Sequence, residues 1–142
     1  KYVCSDGAVV GSHQGAHYFT KGQRKGLGVG GTSEPLFVID TDVVDNIIYT
    51  GQGKNHPGLY RSVLLIQSSD VHWVRPDLKI DLGESLKVMA RIRYRQKLEA
   101  ASLYSNSDGI YVVFDSPQSA ITEGQFVAWY LEDELVGSGV IS

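Results

Sequence analysis

The sequence predicts a mostly β fold, a small β-rich domain with a glycine-rich loop followed by a small antiparallel β-barrel, and three observations predict it. Sixteen glycines punctuate the chain. Short runs of β-branched and aromatic residues recur between turn signals. In the second half those runs fall about ten residues apart, the spacing of a meander that closes on itself.

Taken in order, residues 2–4 and 8–10 read as a hairpin around Ser5-Asp6-Gly7, because Asp-Gly is a strong tight-turn signal. Ala16 to Lys21 is enough for one helical turn and too short to stand alone. Gly22 to Gly31 is a glycine-rich loop carrying Gln23, Arg24 and Lys25. Pro35 leads into a strand, Leu36 to Val44, which turns at Asp45-Asn46 into Ile47 to Thr50, both turn residues tolerating positive φ. Residues 51–58 are turn chemistry, and Arg61 to Gln67 reads as a further strand. The polar run 68–70 then marks a boundary, giving domains 1–67 and 68–142. In the second domain a basic strand at 86–95 is followed by a run at 98–104, a turn from Asn106 to Gly109 and a strand from Ile110 to Phe114. Strands from Phe126 to Leu131 and from Leu135 to Ile141 complete the meander. Pro117 and the turn Thr122-Glu123-Gly124 punctuate its longest connection.

The 142 residues, 42% hydrophobic and 20% charged, suffice for a real core. No apolar run is long enough to cross a membrane and no basic-then-apolar leader opens the sequence, so a cytoplasmic protein with no membrane partner is expected. The single Cys4 forbids an internal disulfide and fits a reducing compartment. Lys1 in place of Met, with Tyr2-Val3-Cys4 reading as a strand entered midway, suggests a piece of a longer protein.

The net charge of −3 hides a cation cluster: five of the thirteen Lys and Arg fall between Lys87 and Lys97. Strand alternation would turn Leu86, Val88, Ala90, Ile92 and Tyr94 inward and Lys87, Met89, Arg91, Arg93 and Arg95 outward. Such a basic stripe suits a polyanion and reads as the edge of an RNA-binding surface. The pattern alone fits equally a solvated strand face paired with acidic neighbours such as Glu99.

Other chemistry has weaker support. The glycine-rich loop offers backbone N–H groups to a phosphate, with Arg24 and Lys25 beside them, but its spacing is neither a P-loop nor a dinucleotide fingerprint. Contact with RNA or with a neighbouring domain suits it better. His13 and His17 are four apart, yet further ligands at metal spacing are lacking, so no metal site is expected. Asp40, Asp42 and Asp45 read as strand-face and turn residues. Cys4 has no histidine near it in sequence to lower its pKa, and no Gly-x-Ser-x-Gly elbow is present. Trp73, Trp129 and the tyrosines could stack on bases, although in a small β protein most aromatics are core.

Several motifs, in order, carry a resemblance: His13-x-Gly15, Thr20-x-Gly-Gln-Arg-Lys-Gly-Leu-Gly28 with Gly30-Gly31, Glu34-Pro35, His56-Pro57 and His72-Trp73. Arg93-Tyr94-Arg95-Gln96, Phe114-Asp115-x-Pro117-Gln118 and Thr122-x-Gly124-Gln125 follow. Together they resemble the carboxy-terminal two-fifths of bacterial tRNA-specific 2-thiouridylases, and the likeness covers essentially the whole chain. The resemblance implies the central domain and the carboxy-terminal barrel, similar to barrels in translation factors, of an enzyme that thiolates position 2 of the wobble uridine of tRNA. That chemistry uses ATP with Mg, adenylating the base, and a cysteine persulfide supplied by a persulfide carrier protein or a cysteine desulfurase. The family's amino-terminal domain holds the ATP-binding Ser-Gly-Gly-Val-Asp-Ser motif and both working cysteines. Cys4 lies in Val3-Cys4-Ser5, not in the Gly-x-Cys-Phe context of the sulfur-carrying cysteine, and that role is not carried onto it. Gly137-Ser138-Gly139 departs slightly from the family's run of glycines, which bears on local packing.

Residue by residue, the resemblance implies tRNA contacts at Arg93, Tyr94 and Gln125, with Arg95 and Gln96 added from the basic stripe. Simple alternation turns Tyr94 inward, so a strand end or bulge is needed if both Arg93 and Tyr94 touch RNA. Gln23, Arg24 and Lys25 are the candidates for a loop that meets RNA or another domain. The chain alone is expected to be catalytically inactive and, being acidic overall, to bind tRNA weakly and with strong salt dependence, and the protein is expected to be a monomer. Two competitors remain: a free-standing barrel module that binds an acidic protein, and a nucleotide-using enzyme built on the glycine loop.

Overall fold

The structure, a computed structural model, describes residues 7–142. The first arm of the expected amino-terminal hairpin and Cys4 lie outside the described residues, and residues 8–10 form no strand. The chain divides into two compact units, Lys1–Tyr60 and Arg61–Ser142.

The first unit is built on one antiparallel hairpin, β1 (Leu36–Asp42) and β2 (Ile47–Gln52). Its loop spans residues 43–46: Asp42 accepts the Val44 and Asp45 N–H groups at 3.0 Å each, and Asn46 supplies the left-handed residue at φ 57°. A bulge in the register between Val38 and Asp40 lets two successive residues, Val38 and Ile39, both be buried. The residues before the hairpin lie against its outer edge. Gly22 N–H donates to the Val38 carbonyl at 2.7 Å and Val38 N–H to the Gln23 carbonyl at 2.9 Å, so the start of the glycine-rich loop is pinned to β1. Lys21 pairs with Asp40 at 3.1 Å, which accounts for one of the three aspartates as a structural partner. The expected helical turn is a short 3-10 turn, Ala16–Tyr18.

The second unit is a curled sheet of seven strands in the order β3-β7-β6-β5-β8-β9-β4. The strands are β3 (Tyr60–Gln67), β4 (Val71–Trp73), β5 (Ser85–Arg91), β6 (Glu99–Asn106), β7 (Gly109–Ser119), β8 (Phe126–Leu131) and β9 (Glu134–Val140). Most of β3 thus belongs to the second unit, seven residues upstream of the division at 67 read from the sequence. The first and last strands of the sheet are joined by only the short turn Ser68–Asp70, and Ser142 N–H donates to the Leu65 carbonyl at 2.9 Å across the remaining gap. The sheet therefore curls nearly into a barrel, as the meander predicts.

Alternation fills its interior. Val88 and Ala90 of β5, Ala101 and Leu103 of β6, and Val127 and Trp129 of β8 are all buried in one apolar cluster with residues of β3, β7 and β9. Two details differ from the sequence reading. The three-residue β4, paired with β9 through His72↔Ser138, was not expected. Pro117, expected in a loop, lies within β7; it sits beyond Ala101↔Phe114, the last pairing of β7 with β6, where its missing N–H removes no bond of that ladder. Near the other end Arg75 binds both Asp77 and Glu134 and holds the exposed Asp77 carboxyl below the usual carboxylate range.

Candidate nucleic-acid interface

β5 keeps the alternation the sequence predicts as far as Ala90, and then the strand stops at Arg91. Residues 93–96 form a turn in which Gln96 N–H donates to the Arg93 carbonyl at 3.1 Å and the Gln96 side-chain oxygen accepts the Ile92 N–H at 3.0 Å. Ile92 stays in the core, whereas Tyr94 is 87% exposed. The expectation from alternation that Tyr94 points inward is thereby corrected: the side chain of Gln96 takes the backbone donor that a continuing strand would have paired. Ending the strand brings Arg93, Tyr94 and Arg95 together on the surface.

The turn is bound to a second one. The Arg93 guanidinium donates to the carbonyls of Ser119 at 2.6 Å and Ala120 at 3.3 Å. Ala120 is held at φ 52°, a costly conformation for a residue with a Cβ, and its carbonyl also accepts the Thr122 hydroxyl at 3.2 Å. The Gln96 amide donates to the Gln118 side-chain oxygen at 2.5 Å, and the Gln118 amide to the Ser116 carbonyl at 2.9 Å. Gln118 is 6% exposed, so its two bonds satisfy a buried polar group that would otherwise be costly. Gln125 closes the neighbouring turn: its side-chain oxygen accepts the Thr122 N–H at 3.1 Å and its own N–H donates to the Thr122 carbonyl at 3.2 Å.

The structure therefore connects Arg93, Gln96 and Gln125 through one hydrogen-bonded patch made by residues 92–96 and 116–125. Gln118, which sequence reasoning placed in a family motif without assigning it a role, is the buried link. Its signal in the sequence is weak, because a glutamine beside a proline reads as loop. Lys87, Arg91, Arg93, Arg95 and Lys97 make no ion pair among the described residues, and Glu99, the acidic neighbour considered for them, pairs in the ladder opposite Ala90.

The glycine-rich loop has a different character. Gln23 is used within the loop, its oxygen accepting the Thr20 N–H at 3.1 Å and its amide donating to the Lys25 carbonyl at 2.8 Å. Arg24 and Lys25 are exposed. With Leu36, residues 26–35 and Arg24 line an open groove of about 400 Å³. The loop leads into β1 and not into a helix, and Glu34 adds a carboxylate to the groove wall, so these residues do not fit the phosphates of ATP. Two of the four histidines serve the backbone: His13 accepts the Gly15 N–H at 3.1 Å, and His56 accepts the Gly58 N–H at 3.0 Å as cap of a 3-10 turn. No group of three or more His, Cys, Asp or Glu gathers among the described residues. No helix among them is long and apolar enough to cross a membrane.

Comparison with known proteins places these features among relatives. Residues 64–141 match the family model described as the aminomethyltransferase beta-barrel domain, and residues 2–52 match the one described as the tRNA methyl transferase PRC-barrel domain. The chain is 68% identical over 141 residues to the tRNA-specific 2-thiouridylase MnmA of Christiangramia forsetii, covering 99% of this chain and 36% of that protein. It is 68% identical over 136 residues to the protein of the same name from Flavobacterium johnsoniae, covering 96% and 34%. Against that of Karelsulcia muelleri it is 50% identical over 142 residues, covering 100% and 37%. The chain thus spans little more than a third of the length of the curated relatives it matches.

Proposed function

Because the chain belongs to the tRNA-specific 2-thiouridylase family, whose PRC-barrel and β-barrel portions it spans, we propose that it holds and orients tRNA through the patch formed by residues 92–96 and 116–125. The observation that carries this reading is the run of cations around an exposed tyrosine with no acidic partner. Surface charges kept for fold stability are usually paired or interspersed with acids; these have no acidic partner among the described residues, and Lys87, Arg95 and Lys97 lie outside the hydrogen bonds that hold Arg91 and Arg93. Arg93 and Arg95 meet phosphates, fixing register without reading sequence. The oxygen of Gln125 is committed to Thr122, so its side-chain NH2 serves a 2′-hydroxyl or base edge. Gln96 has both ends engaged and acts as a positioning residue for the turn. Arg24 and Lys25 are further contacts for RNA or for a neighbouring domain, with Gln23 shaping their loop.

In this reading the full-length protein is a cytoplasmic, monomeric enzyme that installs sulfur at position 2 of the wobble uridine. ATP with Mg and the persulfide sulfur, delivered by a carrier protein or a cysteine desulfurase, act in a domain outside this chain. The chain alone binds tRNA and catalyses nothing.

A titration of labelled, unmodified wobble-uridine tRNA at two salt concentrations tests the proposal, with the wild-type chain beside Arg93→Ala/Arg95→Ala. Wild-type binding is expected to weaken steeply with salt, and the variant to bind less tightly with a salt slope lower by about two, roughly one for each phosphate-binding cation lost. Absence of binding, or an unchanged slope, would contradict it. Binding of an acidic protein with indifference to tRNA would favour the protein-partner reading instead.

A further inference from the structure

The last outward side chain of β5 is only partly exposed. The Arg91 guanidinium lies 5.3 Å from the ring centre of Tyr130 and 5.6 Å from that of Tyr94, and one of its nitrogens donates to the Tyr130 hydroxyl at 3.0 Å. Tyr130 stands on the adjacent strand β8, opposite Met89 of β5, next to the point where the β8–β9 register shifts. A guanidinium near two rings and hydrogen-bonded to the hydroxyl of one gathers both tyrosines into one cationic, aromatic cluster. Tyr94 forms its outer edge, on a turn locked by Gln96 and Arg93. Tyr94 is 87% exposed, so apart from its contact with Arg91 its ring is open to solvent, on a turn tied down by the bonds of Gln96 and Arg93.

We infer that Arg91, Tyr94 and Tyr130 form a stacking platform that takes one unpaired nucleobase of the bound RNA. The inference rests on the proposed tRNA-binding role and deepens it: the arginines of the turn hold phosphates, and this cluster holds a base. Every base has a π-face, so stacking selects for unpaired nucleotides and against continuous duplex without choosing sequence. Arg91 acts within the cluster, adding cation–π attraction to both rings.

The test uses the 142-residue chain and three labelled probes of equal phosphate count: a single-stranded oligoribonucleotide, the same backbone without bases, and a fully paired RNA duplex. The wild-type chain is expected to bind the single strand on the order of tenfold more tightly than the other two, the discrimination that stacking of one base supplies. Tyr94→Leu, at an exposed position where folding is indifferent to the change, and Tyr130→Leu are expected to abolish that discrimination while keeping the affinity for the base-free backbone. Tyr130→Phe, which keeps the ring and the packing but loses the bond to Arg91, is expected to retain part of it. Equal binding of all three probes by the wild-type chain, or discrimination undiminished in Tyr94→Leu, overturns the platform and leaves the RNA-binding role standing. Failure of the folded wild-type chain to bind any probe overturns both.

Discussion

Gly109→Ala is expected to destabilise the seven-stranded unit by about 4 kcal/mol, the sum of a backbone-strain penalty and an overpacking penalty of roughly 2 kcal/mol each. Gly109 opens β7 at φ 145°, a conformation that side-chain-bearing residues rarely adopt, and it closes the turn in which Asn106 accepts the N–H groups of Asp108 and Gly109. An added Cβ would collide with the Ile66 carbonyl oxygen and stand 2.9 Å from the Ser68 nitrogen. Both obstacles are backbone, so no rotamer change relieves them. The β6–β7 turn would have to withdraw from the end of β3, on the side where the sheet comes nearest to closing. For a unit of this size the loss is a large part of the total stability and should lower Tm by roughly 20 °C. Thermal unfolding measures it, and an unchanged Tm would contradict the packing described.

The second large effect is at Gly137. Its Cβ would meet the indole of Trp129 at 2.5, 2.6 and 2.7 Å, against a fully buried ring that is itself set edge-on to Trp73 at 5.4 Å. Gly137→Ala is expected to cost about 3 kcal/mol, because the crowded group is rigid and has no space to retreat into. In a Trp129→Phe background the smaller ring lacks the indole nitrogen and the outlying carbons that crowd Gly137, and the same substitution should cost about 2 kcal/mol less. A double-mutant cycle by urea denaturation gives this coupling; strict additivity would contradict it. The Trp129 N–H is buried without a hydrogen-bond partner, so its removal offsets part of the cavity that phenylalanine leaves.

Both glycines show how far the sequence could be read. Gly109 was visible as a turn residue, since Asn106-Ser107-Asp108-Gly109 carries its own turn chemistry, but its closeness to Ile66 is a tertiary fact with no local sign. Gly137 stood out in the sequence only as part of a glycine pair. The bounds of β8, Phe126–Leu131, were legible because alternation and flanking turns set them locally. β4 was not, since three residues carry no periodicity and become a strand only by pairing with β9.

The candidate interface divides in the same way. The cation cluster was plain in the composition of residues 87–97, and the motif resemblance singled out Arg93, Tyr94 and Gln125. The strand end had no local sign and was required only on the condition that Arg93 and Tyr94 both touch RNA. Nothing in Arg93-Tyr94-Arg95 is a turn signal, and the turn exists because Gln96 captures the Ile92 N–H and Arg93 is tied to carbonyls 26 and 27 residues away. Arg91 read as one more cation of a stripe, and only the placement of Tyr130 across the sheet turns it into the centre of an aromatic cluster.

Hydrogen–deuterium exchange of the chain with and without unmodified wobble-uridine tRNA tests the central claim most directly. The tRNA-holding patch predicts slowed exchange in residues 92–96 and 116–125, with the hairpin loop at 43–46 unchanged. Binding that leaves both of those segments exchanging at their free rates would contradict it.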